Sequence, residues 1–168
     1  MTAPLAVDRI PGVWRGTAKA KVEAISTGFE GLDGLLPGGG WPVGAVSEIL
    51  HAAPGVGELR LVLPLVAHLT QAGGRVAMSA PPHIPFAAAL VQAGVMLPRL
   101  IVTQPPENRE TLWGIEQMLR SGVCSAVISW VDDASDHELR RLQLAAETGR
   151  SIGILMRPAR AESQISHA

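Results

Sequence analysis

The amino-acid sequence predicts a single-domain α/β fold, built as a mostly parallel sheet with helices on both faces. Three observations carry this. Short apolar runs rich in β-branched residues recur along the chain, stretches of helical periodicity fall between them, and turns containing Gly or Pro separate the two kinds of segment. Strands separated by about 10–15 residues of helix pair in parallel through right-handed crossovers, which puts helices on both faces. The 168 residues suffice for one domain with a real core.

The elements follow in order. Residues 1–25 lack sustained periodicity and are interrupted by Pro4, Pro11, Gly12 and Gly16, the pattern of an N-terminal arm. Val13, Trp14 and Arg15 are its candidate partner-binding residues, since a buried indole contributes more than most side chains at an interface; Trp14 folding back onto its own domain is the alternative. The core is expected over residues 26–158. Thr27 with Glu30 fits a capping box that opens a short helix through about Leu35, and Pro37-Gly38-Gly39-Gly40 must then turn. Residues 45–50 read as a strand. Residues 58–72 read as a helix that is apolar on most faces, with Pro64 expected to kink or shorten it. A second strand over 75–79, a short helix over 86–92 ended by Gly94, and a third strand over 100–103 come next. A helix over 107–120 is expected to pack Trp113 inward, as the glycine turn should pack Trp41. The strand over 125–130 precedes a helix over 135–147 opened by the capping box of Ser135 with Glu138. A last strand over 152–156 leads to a short tail, 159–168.

Composition excludes several classes of function. Lys and Arg number 14 against 15 acids, a net charge of −1, so nothing draws the chain as a whole to nucleic acid and strong direct DNA binding is not expected. Arg9, Arg15, Lys19 and Lys21 fall in the arm, as a local patch or as a solvated tail. No uncharged apolar run approaches the roughly 18 residues of a membrane span. Residues 1–10 carry Asp8 and Arg9 and lack the apolar core of a signal peptide, so a cytoplasmic location is expected. Cys124 is the only cysteine, which excludes an internal disulfide and a cysteine-based zinc site. Asp132, Asp133 and Asp136 beside His137 fit helix N-terminal electrostatics better than a metal site, and no metal is expected. His51, His68, His83, His137 and His167 are scattered, with no nucleophile motif beside them.

In doubly wound sheets function sits beyond the carboxyl ends of the strands. After the first long strand the chain reads Pro54-Gly55-Val56-Gly57-Glu58-Leu59-Arg60, where a P-loop has Gly-Lys-Ser/Thr. A working loop needs the ammonium for the β/γ-phosphates and the hydroxyl for Mg²⁺. Glu58 repels a polyphosphate and Leu59 offers magnesium nothing. Pro54, Gly55, Gly57, Glu58 and Leu59 therefore read as a degenerate P-loop, or else as a plain strand-to-helix turn.

The run Ile25-Ser26-Thr27-Gly28, Leu32-Asp33, Gly38-Gly39-Gly40-Trp41-Pro42-Val43-Gly44, Val46 and Glu48-Ile49 resembles the approach to the core of RecA-type recombinases. The resemblance implies a RecA-like core. It also implies that the catalytic glutamate after the second strand falls near Pro81 and Pro82, and that the magnesium-linked aspartate of the Walker B strand falls on Trp130; neither position has a carboxylate. It implies a non-catalytic member of the fold with no cofactor. An ATPase in which Arg60 or Arg75 replaces the lysine is a further alternative. Only residues 131–134 separate Trp130 from the next cap, leaving no room there for the long DNA-binding loop of RecA-type proteins.

A narrower resemblance rests on Val13-Trp14-Arg15-Gly16, the Pro-Gly-Gly-Gly-Trp-Pro turn, the loop from Pro54 to Leu61, Ala80-Pro81-Pro82-His83, Leu119-Arg120-Ser121-Gly122, Val127-Ile128-Ser129-Trp130 and the run from Arg140 to Glu147. These segments resemble ImuA, the RecA-like accessory family of bacterial mutagenic translesion synthesis. That family implies an ImuB-like relative of Y-family polymerases and an error-prone replicative-type polymerase as partners, under SOS control. From Glu48 onward the chain also resembles SulA, the damage-induced division inhibitor, which implies FtsZ as the partner. The first 45 residues favour ImuA. ImuA-like chains, however, continue past the last strand with more sheet and a basic tail, whereas this sequence ends at Ala168. Self-association through the arm is equally open.

Overall fold

The computed structural model describes residues 22–53, 55 and 57–159. Val13, Trp14 and Arg15 of the arm, Pro54 of the loop, and the tail from residue 160 lie outside the described residues.

Five strands form one parallel sheet: β3 (Val46–His51), β4 (Val76–Ser79), β5 (Leu100–Thr103), β6 (Ala126–Trp130) and β7 (Ile152–Pro158), in the spatial order β3-β7-β6-β4-β5. Helices α2 (Glu58–Gln71), α3 (Ala87–Gln92), α4 (Asn108–Ser121) and α5 (Asp136–Gly149) connect them. Alternation along each strand divides the side chains between two cores. Val76, Met78, Ala126, Ile128, Ile152 and Ile154 meet Val62, Leu65, Val66 and Leu69 of α2 and Leu90 of α3. Ala77, Val127 and Leu155 face Leu112, Ile115 and Leu119 of α4 and Leu139, Leu142 and Ala145 of α5 on the other side. The expected arrangement of helices on both faces is thus present. Each fully buried Leu, Ile or Val contributes about 1.5–3 kcal/mol.

Two short strands precede this sheet. β1 (Ala24–Ile25) pairs antiparallel with β2 (Trp41–Pro42) and, with helix α1 (Glu30–Asp33) between them, covers the α2 side. Gly40 is needed here because a Cβ would lie 2.2 Å from the Ile25 carbonyl oxygen. Trp41 packs inward, 4% exposed.

Four local expectations need correction. The capping box at Thr27 is absent: α1 opens at Phe29 with no side-chain cap, and the Thr27 hydroxyl accepts the Phe29 N–H instead, at 3.1 Å. Asp33 holds this turn by accepting from the Ser26 hydroxyl at 2.5 Å and the Thr27 N–H at 2.8 Å, bonds that depress its carboxyl pKa. Pro64 does not shorten α2, which runs 14 residues through it, held by its buried face. Trp113 is 63% exposed, because the apolar stripe of α4 is formed by Leu112, Ile115 and Leu119 and the indole projects off it. Arg75 directly precedes β4, at the amino end of the sheet, so it cannot serve a loop at the carboxyl end. It lies instead near Cys124, whose thiol pKa is raised by burial, with the Arg75 charge opposing.

The capping box of Ser135 is present. Its hydroxyl accepts from the Glu138 N–H at 3.4 Å, and the Glu138 carboxylate accepts from the Ser135 N–H at 2.8 Å. Among the described residues no helix is long and apolar enough to cross a membrane.

Candidate functional site

The crossovers diverge between β4 and β6, so the crevice expected of a doubly wound sheet opens at the carboxyl ends of these strands and of β3. The loop after β3 reaches α2 through Gly55 (φ 81°) and Gly57 (φ 104°), left-handed conformations that favour glycine. The consequence is a small nest of backbone N–H groups at a helix N-terminus, the geometry that holds anions.

An anion is already there. The Glu58 side chain turns back from the first residue of α2, and its two oxygens accept from the Gly55 N–H and the Gly57 N–H, each at 3.1 Å. The Trp130 indole N–H, from the end of β6, donates to the same carboxylate at 3.3 Å. Glu58 is 7% exposed. Burial opposes its ionisation, yet its own backbone N–H, that of Gly55, the Trp130 indole and the nearby His51 together hold the carboxyl below its ordinary pKa. The structure thereby brings together Gly55, Gly57, Glu58 and Trp130. Leu59 is partly buried and lines an adjoining cavity of about 290 Å³ together with Pro81 and Phe86. Arg60 is exposed.

A second cavity, about 260 Å³, lies beside the first and shares Pro82 and Trp130 with it. His51, Glu107, Asn108, Thr111 and Asp132 line it. His51 is 8% exposed and, among the described residues, its Nδ1 has no hydrogen-bond partner. Between the cavities the loop 80–86 presents Ile84 (80% exposed) and Phe86 (75% exposed). No catalytic pattern in the sequence sets His51 apart from the other histidines or marks Ile84 and Phe86; the visible sign of the last two is an apolar loop carrying Pro81, Pro82 and Pro85. Asp132, Asp133 and Asp136 do not converge with His137, and among the described residues no group of three His, Cys, Asp or Glu could hold a metal ion.

On the opposite face of the sheet, Arg157 of β7 is 1% exposed and pairs with the Glu48 carboxylate of β3, its other guanidinium nitrogen lying 3.4 Å from the Ala134 carbonyl. This pair stands at the carboxyl end of the sheet but outside both cavities. Its role is to fix β3 against β7.

Comparison with known proteins follows the same lines. The family model described as the RecA N-terminal domain matches residues 13–140. RecA of Caulobacter vibrioides strain NA1000 is 33% identical over 110 residues, covering 66% of this chain and 31% of RecA. The chain therefore spans about a third of the length of the curated RecA proteins it matches. The cell division inhibitor SulA of Edwardsiella piscicida is 33% identical over 115 residues, 68% of each chain. The crystal structure of SulA from Pseudomonas aeruginosa superposes with a TM-score of 0.58 at 25% identity, covering 67% of this chain and 97% of that one. A parallel sheet with helices on both faces, a strand-to-helix loop at its carboxyl end, and a match over most of the sequence agree: the chain belongs to the RecA N-terminal domain family, with SulA among its relatives.

Proposed function

We propose that this chain is a non-catalytic RecA-fold accessory protein of the bacterial SOS response, an ImuA-like adaptor in error-prone translesion DNA synthesis. One observation carries the non-catalytic part. Where a P-loop would receive phosphate, the Glu58 carboxylate occupies the Gly55 and Gly57 N–H groups and is held there by Trp130. The two residues that replace lysine and the magnesium-linked aspartate thus bond to each other. A nucleotide would have to displace a buried, hydrogen-bonded carboxylate and would find neither an ammonium nor a metal ligand in return. On this reading the loop is a degenerate P-loop, no cofactor is bound, and the mechanism is scaffolding without turnover. The partners are an ImuB-like protein and an error-prone replicative-type polymerase. The family match beginning at residue 13 supports the RecA-like part of this reading, since it includes the segment ahead of β3.

A second reading, inhibition of division through FtsZ, is favoured by a different observation: the fold covers 97% of a solved SulA chain. One experiment separates them. The purified chain is mixed with its cognate ImuB-like protein and, separately, with FtsZ, and complex formation is measured by co-elution. A complex with the first alone supports the adaptor; a complex with FtsZ alone, together with loss of sedimentable FtsZ polymer, supports the inhibitor and refutes the adaptor. A rise in melting temperature with Mg-ATP would refute the cofactor-free reading for either partner, because a ligand bound to the native state must stabilise it.

A further inference from the structure

The two cavities at the carboxyl end of the sheet differ in chemistry and share a wall. Leu59, Pro81, Pro85 and Phe86 make the first apolar, while Glu107 and Asp132 bring two carboxylates to the second. Neither carboxylate is in an ion pair among the described residues. His51, buried in the wall of the same cavity, leaves its Nδ1 without a partner among the described residues. Ile84 and Phe86 stand in solvent on a loop whose three prolines fix much of its backbone, so covering them costs little conformational entropy. Carboxylates at this place repel phosphate, which argues against a nucleic acid as the occupant.

We propose that this face binds an extended segment of a partner protein in which a bulky apolar side chain is followed closely by an arginine. The apolar side chain enters the Leu59–Phe86 cavity and the guanidinium meets Glu107 and Asp132. The inference rests on reading the chain as a protein-binding member of its family and names the chemistry of what it binds. Arginine fits better than lysine: its planar fork serves two carboxylates at once, it is the more weakly hydrated cation, and it stacks on an indole such as that of Trp130 on the shared wall.

The test uses the full chain, labelled with ¹⁵N, titrated with the probe N-acetyl-Phe-Gly-Arg-amide and with the isosteric, uncharged citrulline peptide. Saturable shifts are expected at the Gly57 amide, the Phe86 amide and the Trp130 indole. The arginine peptide should bind about tenfold more tightly, the order expected when charge-assisted hydrogen bonds replace neutral ones. The double variant Glu107→Gln with Asp132→Asn should erase that difference, and Phe86→Ser should weaken both peptides alike. All three positions are exposed, so the variants should fold. Equal binding of the two peptides, shifts centred elsewhere, or no saturable shift up to solubility would overturn the proposal. Mg-ATP titrated into a separate sample keeps the two readings apart: shifts at Gly55 and Gly57 from nucleotide would refute the cofactor-free reading of the loop and leave the peptide result standing.

Discussion

Replacing Glu58 by glutamine tests the resident-anion arrangement with the least change in shape. The amide keeps one oxygen but turns its NH₂ toward a backbone or indole donor, so at least one of the bonds from Gly55, Gly57 and Trp130 is lost and the rest become uncharged. Hydrogen bonds to a charged group contribute about 1.5–3 kcal/mol each and a buried donor left alone costs about 1–3 kcal/mol, so Glu58→Gln should destabilise the chain by about 2–3 kcal/mol. For a chain of this length that lowers Tm by about 4–12 °C. The pH dependence gives a sharper reading. The native carboxyl titrates below its ordinary value near 4.5, so its stabilisation is complete above that value and is lost as pH falls through the lower native one. Other acids titrate too, so the quantity to follow is the difference in Tm between wild type and Glu58→Gln. It should be constant above about pH 5.5 and shrink on acidification below about pH 4.5. Trp130→Phe, which removes the indole donor together with part of the ring, should couple to Glu58→Gln in a double-mutant cycle, the pair costing less than the sum. A variant as stable as wild type at neutral pH, or a difference in Tm indifferent to pH, would refute the reasoning.

Three further outcomes are expected. Arg157→Met should destabilise by about 3–5 kcal/mol, because the ion pair that ties the partly buried Glu48 of β3 to β7 is broken, whereas Arg157→Met with Glu48→Leu should recover much of the loss; chemical denaturation would show the order. Ser135→Ala removes the capping box of α5 and should cost about 1 kcal/mol in the same assay; the loss should lessen in acid, since the Ser135 bonds hold the Glu138 carboxyl below its ordinary pKa. Trp113→Ser, at a side chain 63% exposed, should change stability by less than about 0.5 kcal/mol by thermal melting; a large loss would mean that the indole is packed after all.

Periodicity located the strands and long helices because their side chains answer to the two cores. Val76, Ala77 and Met78 alternate between opposite faces, and Leu112, Ile115 and Leu119 repeat at helical spacing. The Ser135 cap was legible because both of its partners lie within four residues of sequence. Thr27 misled for a related reason: its hydroxyl satisfies the Phe29 N–H two residues on, a turn that competes with a cap and that pattern alone does not distinguish. β1 and β2 are two residues each, too short to show alternation, and they exist because Gly40 lets two backbones approach. At the candidate site, the composition of the loop after β3 told that a carboxylate and a leucine follow Gly57. It did not tell where the Glu58 carboxylate would go, since the partner that fixes it, Trp130, is 72 residues away. No sequence pattern marks Ile84 and Phe86 as surface residues; only the folded surface leaves them in water.

The position of β3 has a consequence for how the chain is made. Among the described strands it pairs with β7 alone, Val46 against Gly153 through His51 against Pro158, so its partner is separated from it by more than a hundred residues. The loop that carries Glu58 extends from that strand. During vectorial synthesis β3 leaves the ribosome early and has no neighbour to pair with until the last strand follows, while β4 and β5 can already associate. The anion nest is therefore assembled late, after most of the sheet, and a chain stalled before residue 152 would display an unpaired strand to the quality-control machinery of the cell.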